Sequence, residues 1–115
     1  MTSNTQVLTA SDIHQLVGQW ATKLGVAVKR VQIRTMPHKW GSISTVGNLT
    51  LASDILTLPP DQAEYIVVHE LMHLKFPNHQ RGWQVSMGMY LADWRDREQR
   101  LRCHQPAKWN ETDSR

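Results

Sequence analysis

The first hydrophobic positions along the chain fall on one helical face. Ile13, Leu16, Val17, Trp20, Ala21 and Leu24 recur at i, i+3, i+4, i+7, i+8 and i+11, the spacing that lines one side of a helix with 3.6 residues per turn. "TASD" (Thr9 to Asp12) offers a capping residue with an acid three positions on, and Gly25 is a natural stop. The pattern then changes. "VAVKRVQIRTM" (Val26 to Met36) is β-branched and partly alternating, which predicts a strand. "PHKWGSIS" and "GNLTLAS" read as two more strands joined by a turn at Thr45-Val46-Gly47-Asn48. A second helix opens at "LPPDQAEY", where Pro60 suits the first turn and Asp61 and Glu64 suit the positive N-terminal end. Pro77 cannot continue that helix, because it lacks an N–H and its ring clashes with the preceding turn. Asn78 can cap a third helix over roughly His79 to Tyr90. Asp93 to Arg102 reads as a last helix, with Asp93/Arg97, Asp96/Arg100 and Glu98/Arg102 paired at i, i+4.

These elements predict one α+β domain over residues 9–103. An N-terminal helix and the second helix pack on a small, mainly antiparallel sheet, and C-terminal helices close the core. Residues 1–8 and 104–115 are expected to be flexible tails. No repeat or second domain is visible, and 115 residues suffice for one modest core.

Composition narrows the function classes. With 40% hydrophobic and 20% charged residues the chain is ordinary for a globular protein, and a net charge of +3 is too small to argue for nucleic acid. The single cysteine, Cys103, excludes an internal disulfide and fits a reducing compartment. The N-terminus shows no signal-peptide pattern and no apolar run is long enough to span a bilayer, so the expectation is a cytoplasmic protein without a membrane partner. Oligomeric state is not legible.

The candidate chemistry lies in "EYIVVHELMHLKFPNH" (Glu64 to His79), which carries three of the six histidines. His69 and His73, four apart on a helix, share one face and are close enough to share one ion. Zinc takes imidazole nitrogens at about 2.0–2.1 Å in a tetrahedral arrangement, and a catalytic site keeps one position for water. The break at Pro77 lets the chain turn and return His79 as a third ligand. Glu70 projects about 100° around the helix from His69, beside the ion rather than on it. There a carboxylate can take a proton from an activated water and pass it to a leaving group. A chance H-E-x-x-H in this composition has a probability of roughly 1%. The bland alternative, two core histidines on an amphipathic helix, does not explain Glu70, since an unpaired buried charge is costly.

The ligand spacing resembles that of the metzincin zinc proteases, with Phe76 where those proteins have a turn-forming glycine. "WGSISTVGNLTL", "LPPDQAEYIVVHELMHLKFPNH" and "ADWRDREQRL" together resemble the YgjP-like metallopeptidase family, relatives of the SprT-like and Wss1-like zinc proteins, over about residues 31 to 102. The resemblance implies a minimal zincin fold, with zinc on His69, His73 and His79 and Glu70 as the catalytic glutamate. It maps the family's Arg and Met before Trp-Gly-Ser onto Arg34 and Met36. The family's Arg just before that tryptophan is Lys39 here, and its usual Cys after Trp-Gly-Ser is Ile43. Lysine does not replace the forked, bidentate contact of arginine.

The expected activity is therefore zinc-dependent hydrolysis, foremost of a protein or peptide. Two alternatives keep the metal: a nucleotide hydrolase, for which no glycine-rich phosphate loop is visible, and a non-catalytic zinc-stabilised module that binds a partner or DNA. A structural zinc site usually has a fourth protein ligand and no base, so Glu70 discriminates against the last. Among other residues, His38, Arg34 and Lys39 are candidates for substrate contact. His14 and His104 are assigned to the surface, Trp40, Trp83, Trp94 and Tyr65 to the core. The Arg run after Trp94 reads as a solvated helix face.

Overall fold

The computed structural model of the chain describes residues 8–104. Within them the elements run α1 (Ala10–Leu24), β1 (Arg30–Arg34), β2 (Gly41–Ile43), β3 (Asn48–Ala52), a short 3₁₀ turn (Ser53–Thr57), α2 (Pro60–Met72), α3 (Arg81–Tyr90) and α4 (Trp94–His104). The expected tails fall mostly outside the described residues. At their inner ends Leu8 packs against the core and donates its backbone N–H to the Leu56 carbonyl at 3.2 Å, and His104 closes α4.

Local chemistry sets α1 as its sequence implies. Thr9 and Asp12 form a reciprocal capping box, Gly25 ends the helix in the left-handed conformation, and Ile13, Val17, Trp20 and Leu24 form its buried face. α2 is different in kind. Every residue from Ala63 to Met72 except Glu64 is buried, as is Gln62. A helix apolar almost all round must be enclosed, and α2 is: it meets α1, α3, α4 and β2. The 3₁₀ turn, which the sequence patterning did not signal, delivers the chain from β3 to Pro60 at the start of this central helix.

The sheet has strand order β1-β3-β2. β2 and β3 form the expected antiparallel hairpin, with Ser42 opposite Thr50. The longer ladder, Arg30–Arg34 against Asn48–Ala52, is parallel, which corrects the expectation of a mainly antiparallel sheet. After β1 the chain crosses to the far edge before running back as β2, and the hairpin then inserts β3 between them, in the same direction as β1. Two further boundaries move. α2 ends at Met72 rather than at Pro77, and α3 begins at Arg81 with Gln80, not Asn78, at its N-cap position.

All three i, i+4 pairs on α4 form, at 2.9, 3.0 and 3.5 Å. The arginine face is not simply solvated, however. Arg97 reaches inward to Glu64 (2.9 Å) and the Asp61 carbonyl (3.0 Å), and Glu64 also accepts from the Trp20 indole at 2.9 Å. One carboxylate thus ties α1, α2 and α4 together.

The hairpin turn depends on Gly47. Its φ is +97°, and a Cβ there would lie 2.6 Å from the Ala27 carbonyl oxygen. Gly47→Ala is therefore expected to destabilise the fold by about 1–3 kcal/mol. Gly18→Ala on α1, where nothing lies within 4 Å, is expected to stabilise by about 0.5–1 kcal/mol. Thermal melts of the two variants, which should move in opposite directions, check this.

Candidate metal centre

The last turn of α2 carries His69, and His73 is its C-cap residue, still in helical conformation (φ −67°, ψ −15°). Beyond it the backbone tightens: Leu74 N bonds Leu71 O, and Lys75 N and Phe76 N both bond Met72 O. Pro77 to Gln80 is a run of bends that turns the chain back across the helix end. Its effect is to return His79 to the same face. His79 Nε2 lies 3.0 Å from His69 Nε2 and 2.9 Å from His73 Nε2. Three nitrogens of a tetrahedral site with bonds near 2.0–2.1 Å stand roughly 3.3 Å apart, so this group matches the span of one ion with little adjustment. It is the one group of three or more potential ligands among the described residues.

The orientation of His73 is fixed from behind. Its Nδ1–H donates to the Phe76 carbonyl at 3.1 Å, which sets the tautomer and leaves the Nε2 lone pair facing the other two rings. Burial, and then the neighbouring His69 ring, lower its pKa against the opposing pull of Glu70 and the Phe76 and Pro77 carbonyls. The neutral imidazole that this favours is the form that ligates metals.

Glu70 is only 7% exposed, with Oε2 3.3 Å from His69 Nδ1. Burial alone would raise its pKa. The His69 hydrogen bond and the electrostatic pull of the His69, His73 and Lys39 side chains outweigh that, and the net direction is down, towards the carboxylate. Its side chain is pressed by the sheet: a Cβ on Gly41 would stand 3.2 Å from Glu70 Cγ and 3.0 Å from the Thr50 carbonyl oxygen. Glycine at this position lets β2 approach α2 at the level of the acid.

A cleft of about 180 Å³ opens over these groups. One wall is Lys39 and Gly41 to Thr45; the other sides are His69, Glu70, His73, Pro77 and His79. A larger hollow of about 600 Å³ lies between α1 and the start of α2. Its acids are already engaged, Asp12 by the Thr9 N–H, Asp61 by Arg100, and Glu64 by Trp20 and Arg97.

The other residues singled out in the sequence separate cleanly. Lys39 lines the cleft. Arg34 does not: it is exposed on β1, across β3 from the cleft strand. His38, His14 and His104 are exposed and outside the cleft lining. Tyr65 is fully buried, its hydroxyl 3.3 Å from Glu98, and Tyr90 meets the Trp20 ring edge-on at 6.0 Å. Cys103, exposed on α4, is not part of the ligand group. Trp83 is the residue the sequence undersold. It reads as core by its spacing, and it is 2% exposed, yet its ring packs on all three histidines. Only the return of the chain at Pro77 brings it there, and no periodicity reports that.

Comparison with known proteins gives this arrangement a context. A family model described as YgjP-like, metallopeptidase domain, matches residues 5–104. No curated protein matches the chain. Among solved structures, the metallopeptidase zymogen abylysin of Pyrococcus abyssi is similar with a TM-score of 0.73 at 22% identity, covering 85% of this chain and 99% of its own. The metallopeptidase zymogen jannalysin of Methanocaldococcus jannaschii gives 0.70 at 23% identity, covering 78% and 93%. At these identities the two likenesses show the fold, and the chemistry rests on this chain's own residues.

Proposed function

Because the chain belongs to the YgjP-like metallopeptidase domain family, a metal-dependent hydrolase family, we propose that it is a zinc peptidase with zinc on His69, His73 and His79 and Glu70 as general base. The observation that carries this reading is the convergence of three Nε2 atoms in a cleft whose wall includes a buried carboxylate that is not one of the three. Zinc bound there would supply a Lewis acid that polarises a carbonyl and brings the pKa of water down to about 7.

The protein's own contribution is to bind, align and move protons. Glu70, held as a carboxylate, takes the proton of the attacking water as its oxygen forms the bond to the carbonyl carbon. The same proton then goes to the amide nitrogen as the C–N bond breaks and the amine leaves. β2 supplies the alignment. Among the described residues it pairs with β3 on one side only, and Gly41 to Ile43 line the cleft. An extended peptide can add to that free edge as a further strand, which sets its scissile bond beside Glu70. A cytoplasmic setting is supported by the single exposed Cys103, and no helix among the described residues is long and apolar enough to cross a membrane.

The reading is tested with purified protein on unfolded protein and fluorogenic peptides. Cleavage that EDTA abolishes and zinc restores is the expected result; cleavage indifferent to chelation would overturn it. Strand addition makes a separate prediction. N-methylation of peptide amides that face β2 should raise KM roughly 2- to 10-fold per amide, the worth of one hydrogen bond, while methylation of alternate amides should not.

A further inference from the structure

The three histidines are not held equally. His69 lies in the enclosed helix α2 and His73 caps its end in helical conformation, whereas His79 sits in a run of bends between α2 and α3. One support of His79 comes from the first turn of α3. The Gln84 side-chain N–H donates to the His79 carbonyl at 3.1 Å, and Arg95 holds the Gln84 oxygen at 3.2 Å. Beside Gln84, the Trp83 ring stands 4.5 Å from the His79 ring at 68° and 5.2 Å from His69 at 78°. It lies 6.0 Å from His73, nearly parallel at 25°. From behind, Trp94 meets Trp83 edge-on at 5.2 Å, and the Arg95 guanidinium caps Trp94 at 4.4 Å. One indole therefore touches every ligand and is itself backed by α4.

The indole N–H adds a second observation. It is buried and finds no acceptor among the described residues. Burying such a donor is costly, so phenylalanine would serve a purely space-filling role at less cost. The larger, two-ring surface is what reaches three imidazoles at once. Phe76 closes the segment from its other end: a Cβ on Gly82 would lie 2.8 Å from Phe76 Cε1, so the chain from Phe76 to Gly82 is folded tightly on itself around His79.

We propose that Trp83 is a positioning residue for the metal centre, which holds the three imidazoles in ligating arrangement and acts most on His79; this rests on the zinc assignment made above. Trp83 touches no reacting atom and works through the ligands, as residues packed behind metal ligands do. Its effect belongs to metal affinity first and to turnover second.

The test compares wild type with Trp83→Leu, Trp83→Phe and Met87→Ala. Met87 is fully buried on the same helix, one turn beyond Trp83, and serves as the control for lost packing. Zinc affinity is measured by competition with a chromogenic chelator, the visible absorption of the cobalt-loaded protein reports ligand geometry, and metal-free melting reports the fold. Trp83→Leu is expected to weaken zinc about 10- to 100-fold and to alter the cobalt spectrum. Trp83→Phe, which keeps one aromatic ring of the two, should recover only part of the affinity, and Met87→Ala should lower the melting temperature with affinity unchanged. If Trp83→Leu does not fold, Trp83→Met, which keeps more volume without an aromatic face, carries the same expectation. Wild-type affinity in the non-aromatic variant, or an equal loss in Met87→Ala, overturns the proposal and leaves the zinc assignment standing. A wild-type protein that takes up no zinc overturns both.

Discussion

Glu70→Gln is expected to keep a full complement of zinc and to lose roughly 10²- to 10⁴-fold in hydrolysis, the usual range for a general base. Glutamine has nearly the shape of glutamate, so it fits the same close approach of β2 at Gly41, where an added Cβ would stand 3.2 Å from Glu70 Cγ. The amide can still lie beside His69, where the carboxylate now stands 3.3 Å from Nδ1. What it cannot do is accept a proton from water. The informative result is the pair of measurements on one preparation, metal content and rate. Zinc lost together with activity would make Glu70 a ligand or a structural residue. Zinc retained with unchanged rate would put the base elsewhere.

The other large effect is expected at His73. His73→Ala removes one of three nitrogens, deletes the hydrogen bond to the Phe76 carbonyl, and takes away the ring stacked on Trp83. Zinc content after dialysis should fall from near one per chain to a small fraction, and hydrolysis should fall with it. Because an ion bound only to the folded state stabilises that state, chelation should lower the melting temperature of wild type and leave His73→Ala unmoved. Equal zinc in the two proteins would remove His73 from the ligand set.

How much of the fold and the site is legible in the sequence depends on the range of the signal. α1 is written locally, in the Thr9/Asp12 box, a clean 3.6-residue stripe and Gly25, and it folds as written. The metal motif is also local, because two of its histidines are four apart on one helix. The sheet order is not local. Adjacent β-patterned segments suggest hairpins, and nothing in "VQIRTMPHKWGS" says that the chain will cross to the far edge and leave a gap for β3. Arg34 and Lys39 looked like equal candidates for the same reason; the crossover sends one to the outer edge and the other into the cleft. Arg97 shows a third kind of miss. Its i, i+4 partner Asp93 was legible, whereas the inward contact with Glu64, 33 residues away, needed the packing of α4 on α2.

A three-stranded sheet that does not close has two outer strands, and each is a template on which another chain could polymerise. The two are defended differently here. β1 alternates half-buried Val31 and Ile33 with exposed Arg30, Gln32 and Arg34, so a second copy arriving in register would set arginine beside arginine. β2 is only three residues long and sits under the mouth of the histidine cleft, which admits a slender extended chain and obstructs a folded sheet. The arginines of β1, which do not line the cleft, would disfavour such pairing by charge repulsion, so strand addition at the short β2 edge, as proposed, would not be matched by self-association at β1.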